Sequence, residues 1–193
     1  VKPSRNNEDR DVMLNIIFLA ARFAPWHGLD YAIRGLKKYS GITPIVLHVV
    51  GNINQISSLI EFADHKNAKI KYHGELHGDE LDTLFDQVDL GISSLGIHRV
   101  GLEEASVLKS REYFARGLPF VYAYSDSDLT EDEEYALRVQ VKESNYLNFE
   151  ELVNFFQSTQ KIPELGNVMR VEAIKKIDWA VKLKKLHNFV VGN

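Results

Sequence analysis

A chain of 193 residues with 45% hydrophobic content suits one α/β domain with a sizeable core and would be cramped as two. Its formal net charge of −4 argues against a nucleic-acid binder, which would show a basic surplus to neutralise phosphates. The absence of cysteine excludes disulfides and thiolate metal sites, and it fits a reducing compartment such as the cytoplasm.

The first residues predict little fixed structure. Residues 1–12 are polar and charged, which is typical of a linker or a solvated arm. The chain begins at Val1 rather than at methionine, which is expected of a piece of a longer protein, and processing is the alternative. The sequence shows no signal peptide, and no apolar run approaches the roughly eighteen residues that span a bilayer.

Short apolar runs alternate with helical stripes along residues 13–193. The run Leu14–Ala20 is nearly continuous, as in a strand buried on both faces of a parallel sheet. Further strands are predicted at Pro44–Gly51, Ala68–Gly74, Asp89–Ser93, Phe120–Tyr124 and, more weakly, Leu137–Val141. Helices are predicted over 29–36, 56–63, 81–88, 106–116 and 149–156. The alternation predicts a Rossmann-like α/β domain, an open parallel sheet of about six strands with helices on both faces.

The tail, Val168–Val190, repeats apolar residues at helical spacing with lysines opposite. This pattern predicts a C-terminal helix that packs on the sheet with a solvated face. Basic amphipathic helices also lie on anionic membranes, so peripheral attachment of the parent protein to the inner face of a membrane is a second interpretation.

Two stretches follow predicted strands and carry charged residues. Residues 104–121 have the pattern of a helix that ends at Gly117 and leads to a buried strand, with Glu104 and Glu112 eight positions apart. The other stretch is the loop Arg22–Gly28, directly after the first strand. Loops between a strand and a helix N-terminus are where open α/β sheets hold anionic ligands.

These stretches resemble the donor-binding C-terminal domain of GT-B glycosyltransferases, the group that includes glycosyltransferase family 4. Glu104, seven intervening residues, Glu112 and the run from Ala115 to Pro119 are similar to the E-x7-E and EAMACGxP signature. Arg22–Gly28 is similar to the GRLxPxKG loop. The chain departs from the family pattern at His27, where lysine is usual, at Ala21, where glycine is common, and at 105–107, where many members have Gly-Phe-Gly.

The resemblance implies the donor-binding half of a retaining, metal-independent glycosyltransferase. Such an enzyme moves a sugar from a nucleoside diphosphate, in a UDP-sugar or GDP-sugar, to an acceptor in glycan biosynthesis. No cofactor is implied, since the nucleotide sugar is the substrate. The partner would be a glycan or lipid-linked acceptor held by an N-terminal domain outside this chain, and without that domain the fragment is expected to be inactive.

The resemblance assigns the two glutamates to hydroxyl groups. Glu112 takes those of the ribose and Glu104 those of the transferred sugar, where a charged acceptor strengthens each hydrogen bond. Glu104 has a neighbouring glutamate, Glu103, which leaves the register open. The alternative for Glu112 is a surface ion pair with Lys109 or Arg116 on the same helix.

The cations and the backbone N–H groups are assigned to the diphosphate. Arg22 would face it from the first loop, and Lys109 from the first turn of the helix, where Ser106 and Val107 offer N–H groups at the positive end. Together they would stabilise charge on the departing nucleoside diphosphate. A plain surface ion pair is the alternative for Arg22.

Two histidine–glycine pairs complete the predicted site. His27 and Gly28 occupy the place of the family's Lys-Gly, and the alternative for His27 is packing beside Trp26. His73 and Gly74 end the third predicted strand and are placed near the nucleotide base. The histidines show no spacing that predicts a metal site.

Two rival functions stay open on the sequence. A nucleotide-sugar epimerase of the same architecture would need no acceptor. A non-enzymatic, flavodoxin-like interaction domain would use the same sheet, but a receiver of that kind needs acidic residues where Ala20, Ala21 and Arg22 stand. No Gly-x-Gly-x-x-Gly turn, Walker lysine loop or G-x-S-x-G elbow supports a dehydrogenase, nucleotidase or hydrolase.

Overall fold

The computed structural model describes residues 13–54, 67–130, 132–142 and 144–192. Its strands form one parallel sheet in the order β3-β2-β1-β4-β5-β6. The strands are β1 (Leu14–Arg22), β2 (Ile45–Asn52), β3 (Ala68–Gly74), β4 (Leu90–Ile92), β5 (Phe120–Tyr122) and β6 (Ala136–Arg138). The α-helices are α1 (Leu29–Lys38), α2 (Gly78–Phe85), α3 (Leu108–Arg116), α4 (Phe149–Thr159), α5 (Leu165–Lys176) and α6 (Trp179–Val191). The predicted six-stranded Rossmann-like fold is confirmed.

The core lies in two layers, one on each face of the sheet. Side chains alternate along a strand, so Ile16 and Phe18 of β1 pack in one layer while Ile17 packs in the other. The first layer contains the buried sides of α1 and α4, and the second those of α2, α3 and α5. Because both faces of β1 and β2 are covered, these strands have the nearly continuous apolar runs seen in the sequence.

The structure differs from the predicted elements near the C-terminus. The weak strand predicted at Leu137–Val141 begins one residue earlier and ends at Arg138. The single helix predicted over Val168–Val190 is wrong, since the tail forms two helices, α5 and α6. The break follows from Asp178, whose side chain accepts a hydrogen bond from the backbone N–H of Ala180 and starts a new helix. The predicted arm at 1–12 and the predicted helix at 56–63 lie outside the described residues.

Helix α6 lies at the periphery. None of its residues is buried, and its apolar residues Trp179 and Phe189 are 77% and 86% exposed. Lys182 links it to the body through an ion pair with Asp128. Within the described ranges, no helix is long and apolar enough to cross a membrane.

The order of the strands places a crevice between β1 and β4. From β1 the chain moves outward through β2 to β3 and then returns to β4 on the other side of β1. The connections after these two neighbouring strands lead to helices on opposite faces of the sheet, α1 and α3, and ligands of open α/β sheets bind at such a point. The stretch Phe23–Gly28 follows β1, and Ser93–Val107 follows β4 and leads into α3.

Ending the chain after Ile177 removes α6 and is expected to lower the free energy of unfolding by less than about 2 kcal/mol, because α6 has no buried residue and a single partly solvated ion pair contributes little. Ending it after Ile162 also removes α5, with its buried Met169 and Ala173. That truncation is expected to cost more than about 3 kcal/mol, since it opens the core. Urea denaturation followed by circular dichroism measures both, and equal losses would contradict the peripheral position of α6.

Candidate functional site

The loops after β1 and β4 are joined by backbone hydrogen bonds. Leu95 N–H donates to the carbonyl of His27 over 2.8 Å, and Gly96 N–H donates to that of Trp26 over 3.1 Å. Gly28 has φ +78°, and a Cβ placed on it would lie 2.7 Å from Cβ of Leu95. The loop therefore needs glycine at 28 both for its left-handed backbone and for the close approach of the other loop.

An ion pair reinforces this contact. Arg99, from the loop after β4, donates to both carboxylate oxygens of Asp30 at the start of α1, each over 2.8 Å. It also donates to the carbonyl of Pro25 over 2.7 Å. Burial raises the pKa of Asp30, but hydrogen bonds and charge from Arg99 and Arg34 outweigh it and leave that pKa below its ordinary value. Asp30 is therefore ionised near neutral pH, and the pair fixes the two loops relative to each other.

Lys109 lies where the first turn of α3 meets β1. Its side chain is buried, and Nζ has no hydrogen-bond partner among the described residues. The amine lies 5.0 Å from the centre of the Phe18 ring. Burial lowers the pKa of Lys109 to about 7, because an ammonium group in an apolar environment loses its hydration.

His27 is neutral and has a defined tautomer. Its Nδ1 accepts a hydrogen bond from the N–H of Ala24 over 2.9 Å, so the ring proton lies on Nε2. The ring packs against Trp26, with 3.6 Å between the ring centres. Burial, and then the charge of Lys109, lower the pKa of His27 to about 3. His27 therefore packs beside Trp26, as the alternative interpretation of the sequence expected, and its Nε2–H remains a donor for a ligand.

The segment before α3 is held by Ser125, three residues beyond the end of β5, and by Arg111. Residues on either side of Glu104 pair with Ser125, through Ala105 N–H to its carbonyl and Ser125 N–H to the carbonyl of Glu103. Glu104 itself is exposed. Val107 is the N-cap of α3, and Ser106 Oγ accepts a hydrogen bond from Arg111 over 2.8 Å. The amides of Leu108 and Lys109, the first two residues of α3, have no carbonyl of their own helix to donate to, so they can bind an anion.

Glu112 forms the ion pair that the sequence left as an alternative. Arg116 Nε donates to its Oε1 over 2.9 Å, and the same guanidinium bonds to Asp82 of α2 over 2.7 Å. The side chain of Glu112 is 39% exposed. The carboxylate is accessible to a ligand from the solvent side.

The other predicted residues lie at the ends of β1 and β3. Arg22 is exposed at the end of β1, and no ion pair joins it to another residue in the described part of the chain. His73 stacks on His48 of β2, with 3.0 Å between Nε2 of His73 and Nδ1 of His48. Gly74, which ends β3, has φ +68°.

The structure brings only part of the predicted site together. Lys109 lies close enough to His27 for its charge to act on that ring, and Gly28 is next in the chain. The segment with Ser106 and Val107 leads directly into the helix of Lys109. His73 and Gly74 lie two strands away from β1, or roughly 10 Å across the sheet, because β2 separates them.

Sequence reasoning missed two features of this crevice. Ser94 lies two residues after the end of β4, is buried, and its Oγ has no hydrogen-bond partner among the described residues. Its position after a strand at the point where the strand order reverses was the signal that would have identified it. The Asp30–Arg99 pair joins residues 69 positions apart, and nothing in a single sequence indicates such a contact.

The described residues include no group of three or more histidine, cysteine, aspartate or glutamate side chains that could hold a metal ion. His48 and His73 hydrogen-bond to each other, and Nε2 of His48 hydrogen-bonds to Oδ1 of Asn15 rather than to a carboxylate.

The sequence matches no family model and no curated protein, but the fold matches solved structures. The catalytic domain of cholesterol-α-glucosyltransferase from Helicobacter pylori has a TM-score of 0.58 at 14% identity, over 84% of this chain and 98% of that one. HepE from Anabaena, in complex with UDP, has a TM-score of 0.59 at 14% identity over 92% of this chain. TarM has a TM-score of 0.59 at 18% identity over 98% of this chain.

These likenesses establish the class of fold. The chain has the GT-B glycosyltransferase fold that its two motifs predicted. It spans nearly all of the H. pylori catalytic domain, but 49% of HepE and 37% of TarM.

Gly28→Ala is expected to lower the free energy of unfolding by more than about 3 kcal/mol, because it adds a clash between the loops to the strain of a left-handed backbone. Gly74→Ala is the matched control. Its φ is also positive, but a Cβ there has no atom of the described residues within 4 Å. The control is expected to cost about 1–2 kcal/mol, the strain alone. Thermal unfolding compares the two, and similar losses would show that the loops do not meet at Gly28.

Lys109→Met is expected to raise the free energy of unfolding at pH 7 by about 1–4 kcal/mol, because a buried cation is replaced by an apolar side chain of similar size. The folded-state pKa of Lys109, about 7, lies below its ordinary 10.5, so the unfolded chain binds more protons between these values. The wild type therefore gains stability as pH rises through that window, and the advantage of methionine shrinks toward its upper end. Urea unfolding across the window measures this, with the exposed Lys184→Met as control. A constant advantage would contradict the burial of a neutral amine.

Proposed function

We propose that the chain is the nucleotide-sugar-binding half of a glycosyltransferase that transfers a sugar from a nucleoside diphosphate to an acceptor, without a metal and with retention of configuration. The GT-B fold supports this proposal. The observation that carries it is Lys109, a buried lysine with no acceptor among the described residues, at the N-terminus of α3 beside the loop after β1. A diphosphate would supply the missing acceptors.

The diphosphate would be held by donors from both loops. Lys109 at the start of α3 and the Nε2–H of His27 in the loop after β1 are two of these donors. The third is the guanidinium of Arg22, which is exposed at the end of β1 and has no ion pair within the described residues. The first-turn amides of α3, with those of Ser106 and Val107, add the positive end of a helix. Donors placed where charge develops on the departing nucleoside diphosphate would accelerate its departure.

The hydroxyl groups would be held by the two glutamates. Glu112 has Oε1 engaged by Arg116, which leaves Oε2 to accept from a ribose hydroxyl. Glu104 lies in the segment before α3, held by Ser125, and would accept from the sugar. His73 and Gly74 remain candidates for the base only if the nucleotide extends across the end of β2 to β3.

Known structures guide the choice of ligand. HepE has been solved with UDP and with UDP-glucose, so a uridine nucleotide is the first donor class to test. The acceptor, a glycan or a lipid-linked glycan, would be held by a second domain of a cytoplasmic parent protein, which would associate with the membrane surface if the acceptor is lipid-linked.

Calorimetric titration of the chain with UDP, GDP, ADP and UDP-glucose tests the proposal. We expect micromolar to millimolar binding of one nucleotide family, since half of the cleft is missing. Arg22→Ala and Glu112→Ala are each expected to weaken it at least about tenfold, the loss of a charged hydrogen bond. Arg170→Ala and Glu172→Ala, which change helical residues of α5 with local partners, are the matched controls. No binding by any nucleotide, or equal effects of sites and controls, would contradict the proposal.

A further inference from the structure

Among the residues that the structure describes, no acidic group lies beside Lys109 to compensate an ammonium charge. The Lys109 side chain lies over the ring of Phe18, which belongs to β1. His27, in the loop after β1, is near enough for their charges to interact, and its Nδ1 already accepts a hydrogen bond from Ala24 N–H. The carboxylates and guanidinium groups on its own helix are engaged elsewhere. Arg111 bonds to Asp126 and Asp128, and Glu112 bonds to Arg116. A buried cation with no acceptor is costly, so the neutral amine is the stable form of this residue when nothing anionic lies beside it.

We propose that a nucleoside-diphosphate sugar binds to this chain together with one proton, which is taken up by Nζ of Lys109. The inference rests on the proposed function, and it adds how the site obtains its charge. The amine, with its lone pair, takes a proton from solvent and becomes an ammonium group that donates hydrogen bonds to the diphosphate oxygens. No covalent bond to the ligand forms or breaks in this step.

Two features of the crevice favour Lys109 over His27 as the proton acceptor. Nε2 of His27 already carries the ring proton, so a second proton would have to bind to Nδ1. Nδ1 would then lose the hydrogen bond that it accepts from Ala24 N–H. Lys109 loses no hydrogen bond when it is protonated, because its Nζ has none among the described residues. The pKa values agree with the geometry, since that of Lys109 is lowered to about 7 by burial and that of His27 to about 3. Near neutral pH, a bound anion therefore raises the protonated fraction of Lys109, whereas His27 stays neutral.

The coupling gives the affinity a defined pH dependence. Binding that consumes one proton weakens about tenfold for each pH unit above the pKa of the unliganded group. Below that pKa the amine is already charged, so affinity no longer changes with pH and no proton is taken up. UDP-glucose is the suitable probe, because its diphosphate is esterified at both ends and lacks the terminal phosphate group that titrates at about pH 6.

Titration of the 193-residue chain with UDP-glucose in buffers of different ionisation enthalpy counts the protons taken up. We expect about 0.5–1 proton per ligand near pH 8 and a value near zero below pH 6, from linkage. Uptake that is absent near pH 8, or that peaks near pH 5, would overturn the proposal and, in the second case, assign the proton to His27. If none of UDP, GDP, ADP and UDP-glucose binds, the proposed function fails as well. Binding without proton uptake contradicts this inference alone.

Two variants give an independent test of the acceptor. Lys109→Met is expected to abolish proton uptake, and His27→Gln, which keeps a neutral side chain in the loop, is expected to retain it. Thermal unfolding confirms that each variant is folded. Where Lys109→Met binds too weakly for calorimetry, the pH profile of wild-type affinity replaces it, because only a group with a pKa near 7 gives a slope that begins there. Uptake that persists in Lys109→Met, or is lost in His27→Gln, would overturn the assignment.

Discussion

The hydrogen-bonded contact between the turn after β1 and the turn after β4 is the constraint on which the candidate site depends. Two backbone hydrogen bonds and the Asp30–Arg99 ion pair hold these turns together. They follow the strands between which the sheet reverses its order, so their contact closes the floor of the crevice. His27 and Gly28 thereby receive a fixed position relative to α3. A loop held only at its ends would not keep a histidine ring within electrostatic range of a lysine on another element.

The distribution of charge around α3 distinguishes Lys109 from its neighbours. Arg111 is bound by Asp126 and Asp128, and Arg116 by Glu112 and Asp82. Each of these cations has acidic partners within the described chain, whereas Lys109 has none and is the most buried of the three. A protein loses stability by keeping a lysine in such a position. Retention of an uncompensated cation at a helix N-terminus is the pattern expected where an anion binds.

The sequence predicted the sheet well and the side-chain environments poorly, for physical reasons. Continuous apolar runs identify β1 and β2 because both of their faces are covered. The break in the tail escaped detection because Ile174, Ile177 and Val181 continue the helical period across it, while a single hydrogen bond from Ala180 to Asp178 starts the new helix. The motifs placed Lys109 in the first turn of α3. Its burial against Phe18, and the tautomer of His27, arise from contacts between distant segments and could not be predicted from spacing.

The ion pair of Glu112 with Arg116 does not argue against a role in binding ribose. An exposed pair at this helical spacing contributes about 0.3–0.5 kcal/mol, because both side chains are solvated and lose rotational freedom. A hydrogen bond from a hydroxyl to a carboxylate contributes about 1.5–3 kcal/mol where solvent is excluded. Arg116 also keeps Asp82 as a partner if Glu112 turns away. The surface interpretation and the ligand-binding interpretation of Glu112 are therefore compatible, and the ion pair orients the carboxylate that a ribose would meet.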